Sequence, residues 1–214
     1  MNRTVDRQNM HSEYKPKGTP VSAATISLVA ALMVILILIA LHFLSPEFSA
    51  AQRMVSEYAL GNYGWLLSIL FVSWAISSWA LAYALWYEVK TVPGKVGLIL
   101  LILSGVGEAM AAVFNVKHGL HGVAALLGIP AFPIAAILIS LSLVRHPAWL
   151  AAKRLIVATA LLTWIAVLSM TVTVIMMMKG SLIIAGYANR FLIVIYCVWL
   201  ITMASQALGL RRNT

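Results

Sequence analysis

The chain has 214 residues, 62% of them hydrophobic and 10% charged, with a formal net charge of +9 and a mean hydropathy of +0.96. No soluble domain of this size can cover so much apolar surface, which excludes a soluble globular protein. The basic excess is what the positive-inside rule and attraction to anionic lipid heads produce; with no folded soluble part left to carry one, a nucleic-acid interface is excluded as well.

Met1–Pro20 is polar, basic and proline-containing, which predicts a disordered cytoplasmic tail over residues 1–20. Six apolar runs follow: Val21–Leu44, Tyr63–Tyr87, Val96–Val116, His121–Val144, Leu155–Met178 and Phe191–Leu208. Each is long enough to cross a hydrocarbon core of about 30 Å at about 1.5 Å per residue. The predicted fold is all-α, a polytopic membrane helical bundle in which residues 21–210 form one domain of six transmembrane helices. The first run begins only after the polar tail and is too long for the apolar part of a cleavable signal peptide.

Lys/Arg placement sets the orientation. Arg3, Arg7, Lys15, Lys17, Lys90, Lys95, Arg145, Lys153, Arg154, Arg211 and Arg212 fall on one side, against Arg53, Lys117, Lys179 and Arg190 on the other. Both termini are therefore expected in the cytoplasm, in a multi-pass protein of the cell inner (plasma) membrane. Short links on the cytoplasmic side make helices two and three, and four and five, antiparallel hairpins.

In the first extracytoplasmic loop, Ser45–Asn62, the Ser45–Pro46–Glu47 start reads as a helix cap, and Phe48, Ala51, Val55 and Tyr58 recur at helical spacing. A short interfacial helix ended by Gly61 is expected there. Ser73, Ser77 and Ser78 on helix two, with Thr202, Ser205 and Gln206 on helix six, offer interhelical hydrogen bonds. Gly105, Gly107 and Ala109 on helix three, facing Gly119 and Gly122, permit close backbone approach. Pro130 and Pro133 bend helix four. The run Met176–Met178 reads as flexible apolar fill, and the single cysteine, Cys197, as a small core hydrophobe.

Glu108 is the most telling residue. It lies about two turns from the outer end of helix three, where a lone carboxylate is costly; it should face the interior and find a partner, or be held protonated. His118 and His121 follow at the start of helix four, three apart and so on one helical face. His42 closes helix one, and Arg190 opens helix six, at the same depth. Two chemistries fit this convergence. A polar pocket facing the extracytoplasmic side, built from His42, Glu57, Glu108, His118, His121 and Arg190 with Glu108 paired to Arg190 or a histidine, would bind a lipid headgroup or small amphiphile. Alternatively His42, His118, His121 and Glu108 would hold zinc, giving an intramembrane hydrolase with Glu108 as ligand or base. A membrane-embedded acid also suits a proton-coupled small-molecule transporter, although no inverted repeat is visible. Histidines sharing one face do not suit bis-histidine haem.

The loop residues carry a resemblance. The stretch from His42 to Pro46, then Val55–Ser56–Glu57–Tyr58–Ala59 and Gly61–Asn62–Tyr63–Gly64–Trp65–Leu66, resembles the bacterial membrane proteins catalogued as domain of unknown function 998. That resemblance implies an acid late in helix three, a histidine opening helix four and a glycine-to-arginine element before helix six, matched here by Glu108, by His118 or His121, and by Gly186 to Arg190. The family's Asp-containing turn between helices three and four is replaced by Asn115–Val116–Lys117. The loop after helix one is also faintly similar to the Frag1/DRAM/Sfk1 lipid-associated membrane proteins. Neither family supplies an activity, and membrane lipids are the expected partners.

Overall fold

In the computed structural model, which describes residues 21–180 and 184–212, the six apolar runs form α1 (Val21–Leu44), α2 (Gly64–Leu85), α3 (Val92–Val113), α4 (Leu120–Leu143), α5 (Lys153–Met178) and α6 (Ala185–Arg212). All six are long and apolar enough to cross a membrane, and the described residues contain no strand. The protein is a multi-pass, membrane-spanning helical bundle. Each helix packs on the next, and α6 returns against α1 and also reaches α2. The predicted tail, residues 1–20, lies outside the described residues.

The boundaries differ from the apolar runs where polar chemistry decides them. α3 begins at Val92 because the Thr91 hydroxyl accepts the Gly94 N–H at 3.2 Å, with Pro93 in the first turn; the same hydroxyl donates to Ser142 Oγ at 2.7 Å, tying the cap to α4. α6 begins at Ala185, not Phe191, so Arg190 sits in its second turn instead of opening it. α4 begins at Leu120, leaving His118 in the preceding turn and off the face that carries His121. Hydropathy marks where a chain avoids water, whereas caps mark where helical hydrogen bonding starts.

Small and hydroxylated residues set the helix spacing. Ser77 donates to the Ser27 carbonyl at 2.9 Å, joining α1 to α2 where both residues are buried. On α3 and α4 the close approach is at Gly107, where a Cβ would lie 2.6 Å from the Ala124 carbonyl oxygen and would also collide with the Gly128 backbone nitrogen. Gly119 and Gly122, the expected partners, face open space, and a Cβ on either would meet nothing within 4 Å. Gly128, one helical turn beyond Ala124, takes their place. Ser104 donates to the Gly128 carbonyl at 2.9 Å and closes the same crossing.

Pro133 has no N–H to give the Ile129 carbonyl four residues earlier in α4. The Tyr196 hydroxyl of α6 donates to that carbonyl at 2.8 Å. Phe132 stacks on Tyr196 with ring centres 4.1 Å apart and packs edge-on against Trp199, and Trp74 meets Tyr196 edge-on at 6.0 Å. This aromatic cluster anchors the proline-bearing helix to α6 and α2. A backbone group freed inside a membrane is tolerated only when a neighbouring helix satisfies it, as Tyr196 does here.

The loop after α1 departs from the expected helix. Residues 46–48 form a turn, the Ser45 hydroxyl is buried with no partner, and the only helical segment of the loop is a 3₁₀ helix, Val55–Leu60, followed by Gly61. So short a segment has little helical stability of its own. Its conformation is imposed by burying Val55 and Tyr58 against the bundle.

Candidate functional site

Beneath that loop, at the end of the bundle where α3 finishes and α4 starts, lies a cavity of about 290 Å3. Loop residues Met54–Ser56 line it together with residues of α2 through α6. Its wall is apolar and aromatic over most of its extent, with Phe71, Trp74, Met170 and Ile193 prominent. Glu108, His121, Asn189 and Ser56 are the polar exceptions.

Glu108 is only 5% exposed, and among the described residues it makes no hydrogen bond or ion pair. Its carboxyl lies across Gly128, where a Cβ would come 2.8 Å from Oε1. The glycine pair at the crossing thus does two jobs. Gly107 lets α3 and α4 touch, and Gly128 leaves room for the carboxyl between them. A second buried polar group on the same cavity, the Trp74 indole N–H, also lacks a hydrogen-bond partner among the described residues. Buried polar groups are nearly always hydrogen-bonded, so two unpaired on one cavity set it apart from ordinary packing.

His121 lines the cavity, and its Nδ1 lies 2.9 Å from the Phe114 carbonyl at the end of α3. A carbonyl only accepts, so Nδ1 carries the proton, and the ring closes off the α3 terminus. Asn189 Oδ1 accepts the Val55 N–H at 2.8 Å, holding the loop down as the cavity's roof.

Next to the cavity, Arg190 builds a second polar centre. The residue is 7% exposed. NH1 donates to the carbonyls of Arg53 (2.7 Å) and Gly186 (3.0 Å), NH2 to the Tyr58 hydroxyl (2.8 Å) and Nε to His42 Nε2 (3.1 Å). His42 Nε2 must then bear the lone pair, while Nδ1 donates to the Leu38 carbonyl at 3.2 Å. Gly186 passes beneath the loop so closely that a Cβ would lie 2.6 Å from the Arg53 carbonyl oxygen, and its N–H donates to Ala51 O at 2.8 Å. One arginine therefore fastens α6, α1 and the loop together. The planar fork of five donors suits that geometry, and a lysine would not reproduce it.

The six candidate residues fall into two groups and two outliers. His42 and Arg190 meet directly; Glu108 and His121 line the cavity. His118 is exposed, accepts the Leu120 N–H and stacks on Phe114, so it belongs to the turn. Glu57 pairs with Arg53 at 3.3 Å within the loop. No ion pair joins Glu108 to Arg190 among the described residues, because the guanidinium is turned toward loop carbonyls. Nor do the described residues contain a group of three or more His, Cys, Asp or Glu side chains placed to hold a metal ion. His42 has both ring nitrogens engaged, and His118 is separated from His121 by the helix start. Asn189 and Tyr196 were not read as site residues, whereas Trp74, as a mid-helix tryptophan able to line a cavity, and Tyr58, within the loop motif, each carried a signal. Of the two, Asn189 is marked by its place beside Arg190 in the Gly186-to-Arg190 element.

The sequence model of a family described as "Protein of unknown function (DUF998)" matches residues 28–206. That is well over half of the chain, and the chain belongs to this family. No curated protein and no solved structure matches it.

Proposed function

We propose that this DUF998 protein binds a small amphiphile, or the polar head and first methylenes of a membrane lipid, in the cavity beneath the Ser45–Asn62 loop. The observation that carries this reading is the buried Glu108 carboxyl, without a partner among the described residues, on a mostly apolar cavity between five helices. Binding pockets share this design, with apolar walls for affinity and a few polar groups for orientation. The volume lies at the small end of such pockets, which run from about 300 Å3 upward, and suits a compact ligand.

Filling the cavity tests this. Ala111 lines it one turn after Glu108, so Ala111→Leu occupies space without removing a polar group. A ligand that binds only the folded protein raises its unfolding temperature by mass action. Medium-chain amphiphiles should raise the unfolding temperature of the wild-type protein, and Ala111→Leu should weaken that response at least about tenfold in concentration, which corresponds to about 1.4 kcal/mol. Identical responses in the two proteins would place the binding elsewhere.

The same proposal sets both termini in the cytoplasm of the inner (plasma) membrane and the loop on the outer side, supported by the unequal distribution of Lys and Arg. Ser49 is exposed on the loop, and the single cysteine, Cys197, is buried. Ser49→Cys is therefore expected to react with a membrane-impermeant maleimide in intact cells. Labelling only after the cells are opened would reverse the orientation.

A further inference from the structure

The cavity's polar atoms differ in what they require. Glu108 supplies a carboxyl with no partner among the described residues. His121 supplies a second acceptor, since its Nδ1–H is committed to the Phe114 carbonyl and the lone pair rests on Nε2. Asn189 has its oxygen committed to the Val55 N–H. Among the described residues no lysine or arginine lines the cavity, and the Arg190 guanidinium spends its donors on the loop, His42 and Tyr58. The walls offer the aromatic rings of Phe71 and Trp74.

Such a lining discriminates among head groups. A carboxylate or phosphate would bring its charge into a mostly apolar cavity that has no lysine or arginine among its described lining residues to offset it. A hydroxyl can satisfy one acceptor but brings no charge. An ammonium brings several N–H donors for the carboxyl and the imidazole, and aromatic faces attract cations.

We infer that the ligand is a lipophilic amine: a protonated amino group held at Glu108, on an apolar body lying against Phe71 and Trp74. At about 30 Å3 per water-sized group, the cavity holds on the order of ten non-hydrogen atoms. This inference rests on the reading of the cavity as an amphiphile site and narrows it to one class of head group.

Three ligands of equal chain length separate the two claims. n-Octylamine, n-octanol and octanoate are titrated at neutral pH into the purified full chain in phosphatidylcholine nanodiscs, and thermal unfolding is followed. Octylamine should raise the unfolding temperature with half-saturation at least about tenfold below octanol, and octanoate should leave it unmoved. Glu108→Gln should raise the octylamine half-saturation at least about tenfold over the wild type and leave that of octanol unchanged. Partition into the lipid is common to both proteins and cancels in that comparison. Should Glu108→Gln fail to fold, Gly128→Ala, whose Cβ crowds Oε1, is expected to reduce the same amine preference. Equal or stronger response to octanol or octanoate in the wild type, or an amine preference that survives Glu108→Gln, would overturn the amine assignment and leave the amphiphile cavity standing. No response to any of the three in the wild type would remove both.

Discussion

Arg190→Ala is expected to unfold at a markedly lower temperature than the wild type and to expose the Ser45–Asn62 loop to protease. The guanidinium donates to Arg53 O, Gly186 O, Tyr58 Oη and His42 Nε2, and all four acceptors sit where the loop closes over α1 and α6. Each buried acceptor left without its donor costs about 1–3 kcal/mol, although relaxation and water entry at a loop return part of that. A loss of about 3–5 kcal/mol is the expected result, or roughly 6–20 °C for a chain of this size. The local signature is sharper than the global one. Arg53 is largely exposed, so trypsin should cut after it many times faster in Arg190→Ala once the loop is released. Arg190→Lys should recover only a minor part of the loss, because an ammonium cannot address four acceptors spread around a planar fork. A cleavage rate and unfolding temperature unchanged from wild type would show that the loop is held by apolar contacts alone.

Gly107→Ala is expected to be the more damaging of the two single-methyl changes at the α3–α4 crossing, and Gly128→Ala, its partner, a mild one. At Gly107 the added Cβ meets backbone on α4, namely the Ala124 carbonyl and the Gly128 nitrogen. Backbone cannot rotate away, so the helices must separate, and the Ser104 hydrogen bond to the Gly128 carbonyl is strained with them. Overpacking of this kind costs about 1–3 kcal/mol or more. At Gly128 the first obstacle is Glu108 Oε1, the free end of a side chain beside a cavity. It can swing aside, and the gain in helix propensity, up to about 1 kcal/mol, offsets part of the crowding. Unfolding in a mild detergent should separate the two variants by at least about 1 kcal/mol, with Gly128→Ala disturbing ligand response more than stability. A reversed order would mean that α3 and α4 approach each other elsewhere.

Arg190 and the cavity are neighbours through α6. Asn189 pins the roof of the cavity through the Val55 N–H, and the adjacent Arg190 fastens the rest of the loop. Releasing the loop therefore opens the cavity, so Arg190→Ala should impair the amphiphile response while leaving the Glu108 carboxyl in place.

Much of the architecture was legible in the chain because a membrane span is a one-dimensional property. Six apolar runs of sufficient length become six helices wherever water is absent, since only hydrogen bonding within the helix satisfies the backbone there. The rarity of Glu108 within such a run marked it as a residue facing the interior, whereas Arg190, just outside the sixth run, stood out by its depth and its place in the Gly186-to-Arg190 element. Pro133 signalled a carbonyl in need of a donor, but nothing linear identified Tyr196 as the residue that supplies it. The side chains' allegiances were likewise hidden. Shared depth suggested one cluster, whereas depth fixes a residue's level and leaves its azimuth around the bundle open. Azimuth depends on where each helix starts and on which glycine meets which backbone, as Gly128 does in place of Gly119 and Gly122. Packing of α6 beneath the loop turned Arg190 toward His42, Tyr58 and two carbonyls, while the Gly107 crossing left the Glu108 carboxyl alone on the cavity. Composition alone determined that this protein lives in a membrane and which groups are anomalous there; only the tertiary structure decided which anomalies satisfy one another and which has no partner among the described residues.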